Sequence, residues 1–128
     1  FSSTIPNLVS PVRLLSGGNL QRLLLARVIA DQPRIIIASY PVRGLDIGAT
    51  ETVYNMLLEQ RANGKAVIFI SEDLDGILAI SDRIAVLYEG KIMGIVRAEE
   101  ADIEEIGLMM TGVTKKWEGA KECASIAN

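Results

Sequence analysis

Apolar positions along the chain switch back and forth between a helical and an extended rhythm. Leu20, Leu23, Leu24 and Val28, with Arg27 among them, follow the three-and-four spacing of a helix, which predicts one over 20–30 closed by Pro33. The β-branched run at 34–38 reads as a short strand buried on both faces. A loop over 39–46 leads into a second helix, whose stripe Ala49, Val53, Met56 and Leu57 stops at Asn63-Gly64. Residues 66–71 predict a second buried strand and 74–80 a third, short helix. Segments 83–88 and 91–96 flank Glu89-Gly90, a two-residue link of hairpin type. Ile103, Ile106 and Met109-Met110 mark a last helix, with Ile106 and both methionines expected in the core.

This order of elements fixes a fold class. Strands alternating with helices predict an α/β domain, with a mostly parallel sheet flanked by helices and a hairpin and helix at its C-terminal end. Ligands of such sheets bind beyond the carboxyl ends of the strands, where Ser39, Tyr40, Ser71 and Glu72 fall. Residues 1–15, broken by Pro6 and Ser10-Pro11, read as an irregular lead-in to a domain over 1–111. The pattern fades beyond Gly112, so 112–128 is expected to be a flexible tail.

Composition narrows the classes of function. The 128 residues leave room for about one domain, and 49% apolar against 23% charged residues argues for a packed core. A net charge of −3 without a basic block speaks against a nucleic-acid partner, and Lys115-Lys116-Trp117 is too short a cluster to change that. The absence of histidine removes the commonest metal ligand and the commonest general base together. Cys123 is alone, so neither an intrachain disulfide nor a metal site is expected. No apolar run approaches the ~20 residues of a membrane-spanning helix. The segment Phe1-Ser2-Ser3-Thr4 has no signal-peptide order, and a soluble, cytosolic protein is expected.

The densest chemistry lies at Leu15-Ser16-Gly17-Gly18-Asn19, just ahead of the first helical run. Two adjacent glycines admit a close approach of backbone or ligand, and a hydroxyl beside the unpaired amides of a helix start suits a phosphate. The same residues also fit a capped turn with no ligand. Asp46 ahead of the second helix is open to a capping role, and Arg22 to pairing with a carboxylate on the helix surface. Tyr40 reads as a packing aromatic.

Taken as a set, these segments resemble the second half of an ATP-binding-cassette ATPase domain. Leu15-Ser16-Gly17-Gly18-Asn19 with Gln21-Arg22 resembles the family signature, and 35–46 its second nucleotide motif with the D-loop after it. Ile70-Ser71-Glu72-Asp73-Leu74 falls at the switch position, and Ser81-Asp82-Arg83-Ile84 with Tyr88-Glu89-Gly90-Lys91-Ile92 resembles the closing segment. The run Arg43-Gly44-Leu45-Asp46-Ile47-Gly48-Ala49 is similar to the second cassette of simple-sugar and nucleoside importers. The resemblance implies a partial P-loop NTPase core. It also implies a second cassette and membrane permease subunits as partners, and a place at the inner face of the cell membrane.

Departures from the pattern bear on the chemistry. Gly64-Lys65 and Gly90-Lys91 lack the rest of a phosphate loop, which the family places upstream, so a fragment is expected. Ser39 and Tyr40 stand where the family has Asp-Glu, which would hold Mg²⁺ and polarise the attacking water. A phenol is a poor base near neutrality. Glu72 replaces the switch histidine, and a carboxylate about 4 Å from a phosphate oxygen is repelled by roughly 4 kcal/mol at an effective dielectric of 20. It stays open whether Glu72 is a solvated strand end, a relic or a substitute base.

The implied role is therefore one in trans. Ser16, Gly17, Gly18, Asn19 and Asp46 would close on ATP and Mg²⁺ held by the other cassette, while this one is inactive alone and binds neither. The alternative is a structural or regulatory remnant that binds no nucleotide.

Overall fold

A computed structural model describes residues 15–113, which fall into two compact units divided between Glu72 and Asp73. The lead-in before Leu15 and nearly all of the expected tail lie outside the described residues.

The first unit is a helix followed by a βαβ motif. Helix α1, Gly17–Ala30, leads to strand β1, Ile35–Ser39, then helix α2, Ile47–Ala62, and strand β2, Ala66–Ile70. β1 and β2 pair in parallel, with Ile35 opposite Ala66 and Ser39 opposite Ile70. Helix α2 buries Ala49, Val53, Leu57 and Gln60, and sets the Tyr54 ring edge-on against Phe69 of β2, with centroids 5.7 Å apart. Asn63 ends the helix and Gly64 follows in the left-handed region.

Side chains alternate across the strands, so one sheet face carries Ile36 and Ala38, both buried. The opposite face carries Ile35, Ile37, Ile68 and Ile70, and these are 60%, 67%, 50% and 43% exposed. The expectation of strands buried on both faces is therefore corrected. A continuous apolar run shows that a strand suits a two-sided interior, but only the layer holding α2 is present among the described residues. Helix α1 likewise buries none of its residues, and Leu23, Leu24 and Val28 are exposed.

The second unit opens with helix α3, Leu74–Ile80. Strands β3, Arg83–Tyr88, and β4, Lys91–Arg97, form an antiparallel hairpin. Glu89 and Gly90 both have positive φ, 47° and 76°, as the two-residue turn compatible with right-handed strand twist requires. The register shifts after Val86, which pairs with Gly94 while Leu87 pairs with Ile92, leaving Met93 as an extra residue. A single 3₁₀ turn, Ala98–Glu100, leads to helix α4, Ile103–Met110, capped by the Asp102 carboxylate on the Glu104 N–H. Ile84, Val86, Ile106 and Met109 form the core of this unit, with Leu74, Ile77 and Leu78 of α3 packed on it. Met110 is 39% exposed, a correction to its expected place in the core.

Candidate functional site

Helix α1 begins three residues earlier than its apolar spacing predicts. Ser16 is extended, at φ −61° and ψ 158°, and its hydroxyl accepts from the Asn19 N–H at 3.3 Å. The first intrahelical bond runs from the Leu20 N–H to the Ser16 carbonyl at 2.9 Å. Gly17 and Gly18 are thus helical, and their N–H groups precede that bond and have no acceptor within the helix.

The two glycines differ in what surrounds them. A Cβ on Gly18 would stand 2.7 Å from the Cβ of Ala49, so the first turn of α1 rests directly on α2. A Cβ on Gly17 would meet only the Leu45 Cδ2, at an ordinary 3.9 Å. One turn further on, the Arg22 Nη2 donates to the Thr52 hydroxyl at 3.0 Å, which in turn donates to the Gly48 carbonyl at 3.0 Å. These contacts make α1 and α2 parallel neighbours that start at the same level. They also give Arg22 a hydroxyl partner on α2, beyond the surface carboxylate expected for it.

Helix α2 starts from Asp46, whose carboxylate accepts from the Ala49 N–H at 2.7 Å. The loop before it leaves β1 at Ser39, which is exposed, and turns at Tyr40, a non-glycine residue at φ 48°. The Tyr40 N–H donates to the Ile70 carbonyl at 2.8 Å and extends the β1–β2 ladder by one bond. The Arg43 guanidinium lies over the Tyr40 ring, 4.2 Å from its centroid, and its Nη2 donates to the Glu72 Oε1 at 2.9 Å. Both members of this ion pair are largely exposed, 61% and 68%, so it contributes no more than ~1 kcal/mol to stability.

The candidate site residues Ser16–Asn19, Ser39, Tyr40, Asp46 and Glu72 therefore gather at one end of the first unit, beyond the carboxyl ends of β1 and β2. That end carries the capped start of α1, Asp46 at the start of α2, and Ser39, Tyr40 and Glu72 at the strand ends. Glu72 is largely exposed, at 68%, and carries an ion pair with Arg43. Arg43 is the residue that sequence reasoning passed over. No sequence signal pointed to it, because its partner lies 29 residues further on and meets it only through the pairing of β1 with β2.

Comparison with known proteins gives this geometry a lineage. The chain is 51% identical over 98 residues to a glucose import ATP-binding protein of Haloferax volcanii, covering 77% of the chain and 18% of that protein. It is 46% identical over 114 residues to a guanosine import ATP-binding protein of Bacillus subtilis, covering 89% and 22%. A solved ATP-binding cassette of an ABC transporter in its ADP conformation superposes with a TM-score of 0.61 at 28% identity, covering 77% of the chain and 37% of that cassette. The chain belongs with the ATP-binding-cassette ATPases. A second solved cassette, dimeric and bound to ADP and Pi in a post-hydrolysis state, superposes at 0.61 with 30% identity and covers 67% and 37%. No protein-family model matches the chain. It spans about a fifth of the length of these curated relatives. No described helix is long and apolar enough to cross a membrane.

Proposed function

We propose that this chain is the signature-bearing part of an importer ATPase cassette, and that it lends Ser16, Gly17, Gly18 and Asn19 to ATP held by a neighbouring cassette. The observation that carries this reading is the shared end of α1 and α2. The Gly17 and Gly18 N–H groups lie outside the intrahelical ladder, at an end of α1 flanked by Leu45 and Ala49. A phosphate suits that place, because helix-start amides and the partial positive charge of the helix both favour an anion. The dimeric cassette with ADP and Pi supports a partner of the same kind. The names of the import relatives support sugar or nucleoside uptake. The same reading gives the cassette permease subunits as partners, at the cytoplasmic face of the membrane.

The cassette's own site does not fit Mg²⁺ and a hydrolytic water. At the two strand-end positions Ser39 offers a neutral hydroxyl and Tyr40 a phenol, where a carboxylate for the cation and a base for the water are needed. No step is therefore assigned to it. In the neighbouring site the bound ATP–Mg²⁺ supplies the phosphoryl group that is transferred. The residues of this chain orient it, with the Gly17 and Gly18 amides donating to phosphate oxygens and the Ser16 hydroxyl at its edge.

A structural module that binds no nucleotide is the second reading, favoured by one observation: packing on Ala49 accounts for Gly18 without any ligand. Gly18 is consequently the wrong place for a test, and Gly17, open toward solvent, is the right one. In the assembled two-cassette protein, Gly17→Asp is expected to abolish most ATP hydrolysis by placing a carboxylate against the phosphate, with the melting midpoint unchanged. Wild-type turnover in that variant would establish the structural reading.

A further inference from the structure

We infer that Glu72 is a positioning residue: through Arg43 it fixes the loop 40–46, and through Leu45 that loop sets the Ser16–Gly17 end of α1. The inference rests on the reading that this end meets a neighbouring nucleotide, and it assigns Glu72 a part that neither a relic nor a substitute base would play.

The loop is tied to the end of β2 at two points. Its backbone is held by the Tyr40 N–H on the Ile70 carbonyl, at 2.8 Å. Its side chains are held by the stack of Arg43 on Tyr40 and the 2.9 Å ion pair of Arg43 with Glu72, two residues beyond β2. The loop contains two left-handed residues, Tyr40 at φ 48° and, just past Arg43, Gly44 at φ 77°. A tyrosine adopts that conformation only where its surroundings hold it there. The ring is what the surroundings use, because it is the platform for the guanidinium.

At its far end the same loop delivers Leu45 against Gly17, with Cδ2 3.9 Å from where a Cβ would stand, and Asp46 onto the Ala49 N–H. Glu72, Arg43 and Tyr40 are thus in direct contact, and the backbone of the same loop carries Leu45 to the side of Gly17 at the start of α1. An exposed ion pair adds little to global stability, so its effect falls on the conformation of the loop rather than on whether the unit folds. The guanidinium 2.9 Å from Glu72 also offsets part of the repulsion a lone carboxylate would exert on an approaching phosphate.

The test uses the two-cassette ATPase carrying this chain, and reads KM and kcat for ATP together with the melting midpoint. Arg43→Ala and Glu72→Ala are each expected to raise KM roughly three- to fivefold with kcat little changed. The midpoint should stay within about 2 °C. The double variant should be no worse than either single change, because both break one link. Arg43→Lys, which keeps a cation for both the Tyr40 ring and Glu72, should hold KM within about twofold of wild type. An unchanged KM in the alanine variants, an Arg43→Lys variant as impaired as Arg43→Ala, or a fall of many degrees in the midpoint each overturns the inference. Gly17→Asp, measured alongside, separates the two layers. If it abolishes turnover while the charge variants do nothing, only the role of Glu72 falls. If Gly17→Asp is also silent, the reading in trans falls with it.

Discussion

Gly18 and Ala49 touch so closely that the glycine has no room for a methyl group, with 2.7 Å separating an added Cβ from that of Ala49. Two physical effects then oppose each other at one position. Helix propensity alone makes glycine to alanine favourable by about 0.5–1 kcal/mol. Overpacking costs about 1–3 kcal/mol, and here it wins. Gly18→Ala is therefore expected to destabilise the protein in urea unfolding, and adding Ala49→Gly should recover part of the loss. A stabilised Gly18→Ala would show that α1 and α2 are further apart than described.

The caps of the two helices separate by substitution. Ser16→Ala and Asp46→Ala should each cost about 1 kcal/mol of stability, since each leaves a helix-start amide without its oxygen. Asp46→Asn keeps the capping oxygen and should cost little. If Asp46→Asn nevertheless lowers ATP turnover in the two-cassette protein, the carboxylate charge has a task besides capping. Equal turnover in Asp46→Asn and wild type would leave the cap as its whole role.

The hairpin turn gives a prediction in both directions. Gly90→Ala should destabilise by about 1 kcal/mol, because an L side chain is strained in the left-handed region. Glu89→Asn should stabilise by a few tenths of a kcal/mol, asparagine being easier to hold at that φ. Thermal unfolding of both variants is the measurement, and like signs for the two would contradict the turn described.

Nucleotide binding by the chain on its own is expected to be feeble. Its sequence holds no Gly-x4-Gly-Lys-Ser/Thr run to wrap the β- and γ-phosphates. Titration calorimetry with ATP–Mg²⁺ should give no binding heat at micromolar nucleotide. A dissociation constant in the low micromolar range would mean that Ser16–Asn19 bind phosphate without a neighbour.

How much of this was legible in the sequence depended on the kind of signal. Segments 74–80 and 83–88 and the Glu89-Gly90 turn are bounded by side chains that act locally, and the structure puts elements at those bounds. The start of α1 was read late because two glycines look like a break, whereas the Ser16 cap and the packing on α2 outweigh their low propensity. Burial of β1 and β2 was overstated because an apolar run does not say which of its faces is covered. The Arg43–Glu72 pair was not legible at all. Only once Ser39 stands opposite Ile70 in the parallel register do residues 43 and 72 come within reach of each other.

The four isoleucines on the open face of β1 and β2 also bear on how the chain tolerates mutation. Where the face stays in water, Ile37→Thr or Ile68→Thr removes an exposed apolar side chain and should be nearly neutral. Where another layer covers it, the same substitutions become core mutations costing about 1–3 kcal/mol each. A saturation scan of positions 35, 37, 68 and 70 therefore acts as a gauge of assembly. The spectrum of accepted residues, polar or strictly apolar, reports whether the chain was selected bare or built into something larger.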